Sequence, residues 1–271
     1  MKTVKDAIVL ITGGASGIGR LMGLDFAERG ARVVAWDRNV EALKKLEDEA
    51  RERGFFIKGM TCDVTDKDAV YRQAKVLEDE LGPVDILVNN AGVVSGSTFL
   101  ETPDEKIRKT MEVNVLSLFW TGKAFLPSMI KRNSGHIITI SSAVSIVAIA
   151  GLADYSASKS AAFAYNEAIR MELRRLKSAV KTTVICPSFI DTGMFQGVKV
   201  RFPLLVPIYK SAYVARRIVK AIVKNKKRLV LPTFMYVVYL SRIFPVGIFD
   251  AVTDFLGMNR AMDQFTGREG K

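Results

Sequence analysis

The chain has 271 residues, 49% hydrophobic and 25% charged, with a formal net charge of +12. That length allows one large domain with a substantial core, and the balance excludes a disordered chain. Only Cys62 and Cys186 are present, which excludes a disulfide scaffold and fits a reducing compartment; the lone His136 has no companion ligand, so no metal site is expected.

The first predicted element is an apolar run at residues 7–11, expected as a buried parallel strand. It begins almost at the N-terminus, so neither a signal peptide nor an N-terminal anchor is expected. The run leads into Thr12-Gly13-Gly14-Ala15-Ser16-Gly17-Ile18-Gly19, followed by a helical pattern with Leu21, Leu24 and Phe26. Strand, glycine-rich turn and helix form the setting a dinucleotide site requires. Glycine permits the sharp turn and lets phosphate approach the backbone, while the helix N-terminus offers free N–H groups. A second strand, 32–36, ends at Asp37, about twenty residues after the loop, where a carboxylate can accept hydrogen bonds from an adenosine ribose. The same carboxylate repels a 2′-phosphate and favours NAD over NADP. Arg38 beside it pulls the other way, because arginine binds such phosphates. Asp37 has a purely structural alternative as the N-cap of a helix over 40–53.

Further strands are predicted at 55–60, 84–89, 136–141, 181–186 and 228–231, and further helices at 67–81, 103–131, 154–177 and 212–224. This alternation argues an α/β doubly wound parallel sheet of about seven strands, covered on both faces by helices. Ligands bind such sheets beyond the C-terminal strand ends, where Asp37, Asp63, Asn90, Ser142 and Pro187 all fall.

The helix over 154–177 carries Tyr155 and Lys159 four residues apart, on one face. An ammonium beside a phenol favours the phenolate and lowers its pKa, so Tyr155 is expected to exchange protons near neutral pH. Each residue alone has a plainer reading: a packed tyrosine, a capping serine at 142, a satisfied buried amide at Asn114. Their ordered occurrence after a dinucleotide motif outweighs those readings.

Together these residues resemble the short-chain dehydrogenase/reductase family. The likeness rests on Thr12-Gly13, Gly17-Ile18-Gly19, Asp63-Val64, Asn89-Asn90-Ala91-Gly92, Asn114, Ser142, Tyr155, Lys159 and Pro187, spread over about residues 5 to 231. One departure is Ser188, where the family often has glycine. The resemblance implies a Rossmann-type domain over 1–271, with a substrate loop at about 193–212 and a C-terminal helical extension at about 232–271. It implies Tyr155 as general acid/base, Lys159 as its partner and ribose ligand, Ser142 on the substrate oxygen, and Asn114 anchoring a proton-relaying water. Gly13, Ser16, Gly17, Ile18 and Gly19 would cradle the cofactor phosphates. Asp63 and Val64 would flank the adenine, Asn90, Ala91 and Gly92 would line the trough, and Pro187, Ile190 and Thr192 would hold the carboxamide. It also implies that the helices over 103–131 and 154–177 pair between subunits of a homodimer or homotetramer.

The C-terminal third is basic. Between Asp191 and Asp250 there is no acidic residue, but there are eleven lysines and arginines interleaved with apolar and aromatic residues. Pro232, Arg242 and Pro245 interrupt the longest apolar run and leave it too short to span a membrane. Without a recognition module, no nucleic acid is expected as partner. The mixture fits peripheral association of a cytoplasmic enzyme with an anionic membrane surface; the alternative is a basic surface with an apolar lid over a substrate cleft. Residues 194–207 and 229–232 resemble the branch holding retinol dehydrogenases and some 17β-hydroxysteroid dehydrogenases. With Val144, Ile146, Val147, Ile149 and Leu152 between Ser142 and Tyr155, an apolar cleft for a retinoid, hydroxysteroid or long-chain alcohol is expected. In the alternative reading, that run packs against a neighbouring subunit. The rival functions are NADP-dependent reduction of a carbonyl such as a 3-oxoacyl thioester, and nucleotide sensing without turnover.

Overall fold

The computed structural model describes residues 4–267. Seven strands form one parallel sheet in the order β3-β2-β1-β4-β5-β6-β7: β1 Ile8–Thr12, β2 Arg32–Asp37, β3 Ile57–Thr61, β4 Ile86–Asn89, β5 His136–Ile140, β6 Lys181–Pro187 and β7 Arg228–Leu231. All inner residues of β1, β4 and β5 are buried, as expected for strands covered on both faces. On one face lie α1 (Gly17–Glu28), α2 (Val40–Glu52) and α7 (Ser211–Val223), packed through Met22, Phe26, Leu46 and Ile218 onto Val9, Ile11 and Val33. On the other lie α3 (Lys67–Leu81), α5 (Ser117–Lys131) and α6 (Ala153–Arg175), which set Leu77, Phe125, Met129 and Leu173 against Leu10, Leu87 and Ile137. Strand order reverses between β1 and β4, and a crevice opens there beyond the strand ends.

The helix expected over 103–131 is not uniform. It consists of α4 (Asp104–Met111), a π-helical segment at Glu112–Leu116, and α5. One extra residue per turn leaves no trace in hydrophobic periodicity, so the sequence does not show it. Asn114 sits in this segment. The cap of α2 is Asn39, whose side chain accepts from the Ala42 amide at 2.9 Å, so the capping alternative for Asp37 is not realised.

After β7 the chain forms α8 (Met235–Leu240) and α9 (Val246–Phe255). They pack Val238 and Leu256 against Val147, Cys186 and Val230. Val144, Ile149 and Leu152 pack within the chain against Phe189, Val198 and Met262. Both cysteines are buried and unpaired. His136 is buried in β5 with its Nε2 2.7 Å from the Thr183 hydroxyl, and burial lowers its pKa to about 3. Among the described residues no three His, Cys, Asp or Glu side chains gather as a metal site, and no helix is long and apolar enough to cross a membrane.

Candidate active site

The loop from β1 to α1 turns on Gly13 and Gly17, both at positive φ (62° and 54°). Ser16 is the N-cap of α1, but its side chain makes no capping hydrogen bond, and the first turn carries no acid. The N-terminal amides of α1 are therefore available to an anion. Asn90 ties this loop to the end of β4. Its side-chain amide donates to the carbonyls of Thr12 (2.9 Å) and Gly13 (3.1 Å), and its backbone N–H donates to the Thr12 hydroxyl at 3.0 Å. Gly19 lies beneath, where a Cβ would stand 2.2 Å from the Gly13 oxygen and 2.6 Å from the Asn90 side chain.

One cleft runs from this loop across the crevice. Gly13, Ser16, Gly17 and Ile18 line one end, with Asp37, Arg38, Asp63 and Val64 beyond them; Asn90, Ala91 and Gly92 form the floor, and Ser142, Tyr155, Lys159, Pro187, Ile190 and Thr192 the other end. Two expected residues are not in its wall. Gly19 is buried packing, and Asn114 stands behind the cleft, 1% exposed. The Asn114 amide oxygen accepts from the Val93 N–H (2.9 Å), and its nitrogen donates to the Val93 carbonyl (2.9 Å) and the Ser158 hydroxyl (3.0 Å). Ser158 in turn donates to the Tyr155 carbonyl at 2.8 Å, so Asn114 braces the first turn of α6. Ser158 was not foreseen; it falls between Tyr155 and Lys159 and has no spacing of its own.

Asp37 holds the glycine loop with one oxygen, accepting from the Ala15 N–H at 3.2 Å, and accepts from the Asn39 N–H with the other. Burial pushes the Asp63 carboxyl up, but the Thr65 amide and hydroxyl, with the charges of Lys109 and Arg38, leave it below the ordinary carboxylate value. Lys109 of α4 also lines the cleft and was not foreseen.

The reacting end differs from expectation in its electrostatics. Tyr155 and Lys159 do share a face, with the Lys159 nitrogen 5.6 Å from the Tyr155 ring centroid. Yet burial raises the phenol's pKa above its ordinary value, and the lowering influence comes from the Ser142 hydroxyl. Lys159 is itself brought down to about 8 by burial, against a smaller raising effect of Cys186. Its ammonium donates to the Ile140 carbonyl at 3.0 Å rather than to the phenol. Helix spacing sets the neighbour, but desolvation opposes charge on both groups. Ser142 donates to the Pro187 carbonyl and accepts from the Val144 N–H, each at 3.3 Å. These long bonds leave its oxygen open to a better partner.

A second, narrow space opens from this end. It is walled by apolar side chains, including Val147, Phe189, Val206, Met235, Leu256 and Met258. Ser142, Ser188 and Phe195 line both spaces. The Phe195 ring stands edge-on to Tyr155 (5.8 Å between centroids) and to Phe189 (5.5 Å). Its place at the junction has no sequence signature, since the loop carrying it is irregular.

The cleft suits a nicotinamide dinucleotide by its donors and its shape. Free helix amides face a glycine surface at one end, carboxylates stand where ribose hydroxyls need acceptors, and a lysine and two hydroxyls close the other end. At Gly92 a Cβ would come within 3.3 Å of the Lys159 nitrogen and 3.4 Å of the Asn114 oxygen, so the missing side chain keeps the ammonium accessible.

The family signature described as short chain dehydrogenase matches residues 7–201. The chain is 43% identical to short-chain dehydrogenase/reductase family 16C member 6 of Bos taurus, over 99% of this chain and 86% of that protein. It is 42% identical to epidermal retinol dehydrogenase 2 of Mus musculus, over 100% of this chain and 88% of that protein. Among solved structures, a short chain dehydrogenase/reductase from Burkholderia phymatum in complex with NAD superposes with a TM-score of 0.81, covering 90% of this chain and 95% of that one at 24% identity.

Proposed function

The chain belongs to the short chain dehydrogenase family, and from that premise we propose an NAD-dependent oxidoreductase that interconverts a lipophilic primary or secondary alcohol and its carbonyl. Membership makes it an oxidoreductase working with a nicotinamide cofactor. The finer reading rests on one observation: Ser142 and Phe195 line both the polar cleft and the apolar chamber, with Tyr155 beside them. The acid–base hydroxyls therefore stand where a cofactor and a lipophilic substrate would meet. The likeness to an epidermal retinol dehydrogenase supports the same substrate class.

A bound cofactor supplies the hydride exchange that no side chain can perform. The Ser142 hydroxyl orients the substrate oxygen; in reduction the Tyr155 phenol donates its proton to the forming alkoxide, and in oxidation it first gives its proton up to the cleft and then, as phenolate, takes the alcohol proton. Lys159 holds positive charge behind that exchange, and its burial favours the neutral amine relative to an exposed lysine. Asn114, through Ser158, keeps the turn carrying Tyr155 in register. The Asp37 carboxylate favours NAD, because it would repel the 2′-phosphate of NADP. Self-association as a homodimer or homotetramer is supported by Leu116, Phe119 and Met171, apolar residues exposed on the π segment, α5 and α6. The basic, apolar C-terminal third supports peripheral association with an anionic membrane.

The test is a panel of retinoid, hydroxysteroid and long-chain alcohols, with NAD or NADP, read as reduced nicotinamide formed. Turnover of at least one lipophilic alcohol with NAD, several-fold faster than with NADP, is expected. Cofactor binding without turnover across the panel would refute the proposal and favour nucleotide sensing. Preference for NADPH and a ketone would favour the carbonyl-reductase alternative.

A further inference from the structure

The helices beside the apolar chamber also carry a dense run of exposed apolar side chains. Met235 of α8 and Leu256 at the end of α9 face the chamber and are 1% and 7% exposed. The opposite side of the same hairpin carries Val237, Leu240, Ile243, Phe244, Val246 and Ile248, all between 47% and 78% exposed. Residues 236–248 hold one charged side chain, Arg242. An apolar exposure of this density marks an interaction surface rather than ordinary scatter.

The surroundings identify the occupant. At the C-terminal end of α9 a second cleft is lined by Lys199, Arg201 and Arg260, with Asp254 as its only acid. Asp254 already accepts from the Asn259 side chain at 2.7 Å. The Arg201 guanidinium lies over the Phe255 ring at 5.5 Å, and Phe255 is 62% exposed. Cations therefore flank an apolar ridge, the pattern of an element lying in the interface of an anionic bilayer. The other basic residues of this third do not contribute alike: those on α7 ride on the helix packed with α1, and Arg228 is paired with Glu167 at 2.7 Å. A second copy would place Arg242 and the cationic cleft in an interface already rich in the same charge, which disfavours it as occupant.

The chamber itself adds a reason for docking. Its free volume is ≈ 30 Å³, against roughly 300–1,000 Å³ for small-molecule sites. A retinoid or long-chain alcohol enters only if the wall gives way, and that wall includes Met235 of α8 and Leu256 just after α9, elements whose other side chains are the exposed apolar ones.

We propose that the α8–α9 hairpin docks into the interface of an anionic membrane and that the substrate passes from the bilayer through this wall into the chamber. The docking surface stands on the geometry alone; the entry route rests on the lipophilic-alcohol reading. The experiment co-sediments the full chain with phosphatidylcholine vesicles, with and without phosphatidylserine, and compares wild type with the Ile243→Glu/Val246→Glu and Lys199→Glu/Arg260→Glu variants. Melting temperature and cofactor binding serve as controls for folding. Wild type is expected to bind anionic vesicles about tenfold more tightly than neutral ones, and each variant to lose about tenfold. For the entry route, the first variant should lose about tenfold in kcat/KM for an alcohol dissolved in vesicles and retain its rate on a short soluble alcohol. Equal vesicle binding by wild type and both folded variants overturns the docking surface. Lost binding accompanied by a shift from dimer to monomer assigns the ridge to a second copy and overturns it as well. Lost binding with unchanged turnover of the vesicle-dissolved alcohol overturns the entry route. A wild type that binds vesicles but oxidises no alcohol refutes the enzymatic reading and leaves the docking surface standing.

Discussion

The two ends of the crevice are built from different materials. The glycine-loop end is held by directional bonds: Asn90 to Thr12 and Gly13, Asp37 to Ala15, and Gly19 pressed under the Gly13 carbonyl. The chamber end is held by apolar contact among Val147, Met235, Leu256 and their neighbours, and its outer face is exposed. Hydrogen bonds specify angle and distance, so the first end is suited to holding one cofactor in one pose. Apolar contact is non-directional, so the second suits substrates that share greasiness rather than a fixed pattern of polar groups. Tyr155 and Ser142 stand where the two meet.

This contrast can be broken at specific residues. The largest effect is expected at the junction: Tyr155→Phe should lower turnover by about 10²–10⁴-fold with cofactor binding retained, as measured by steady-state rates and calorimetry. Undiminished turnover would remove Tyr155 from the chemistry. At the rigid end, Gly19→Ala places a Cβ against backbone and should cost about 1–3 kcal/mol in denaturant unfolding, with weakened cofactor binding. At the soft end, Phe195→Ala should change kcat/KM for long-chain alcohols by about tenfold and leave short alcohols nearly unaffected. Equal effects on both chain lengths would mean that Phe195 does not select substrate. Asp37→Ala should shift the NAD/NADP ratio of kcat/KM toward NADP by several-fold; an unchanged ratio would assign Asp37 to loop support alone.

The smallest effect is on the pH dependence of stability. His136 is held neutral by burial, with its pKa lowered from 6.5 to about 3. The unfolded chain therefore binds more protons between those values, and stability present above pH 6.5 is lost as pH falls toward 3. His136→Gln should flatten the melting temperature over that window relative to wild type. Parallel curves would show that the buried imidazole is not the group responsible.

How much of this was legible in advance follows from the range of the forces. The strand over 228–231 and the helix over 67–81 are found as expected, because apolar periodicity and capping residues act locally. The glycine loop and Asp37 were legible for the same reason: their geometry is written into neighbouring residues. The π segment at Asn114 was not: the partners of that amide, Val93 and Ser158, lie 21 and 44 residues away in the chain, beyond the reach of local periodicity. Nor was the direction of the Tyr155 pKa shift. Spacing on a helix shows which charges are near, but burial depends on what covers the turn, and Phe195 comes from a loop forty residues downstream.

The sequence by itself determined the doubly wound sheet, the edge of it at which the cleft opens, and the pairing of Tyr155 with Lys159, because alternation, turns and helix spacing depend on residues close in the chain. Only the tertiary structure decided that Asn114 braces rather than lines the cleft, that Phe195 joins two spaces, and that α8 and α9 wall one of them while baring their other face. Those facts depend on distant segments meeting in three dimensions, and burial and desolvation exist only once they have met.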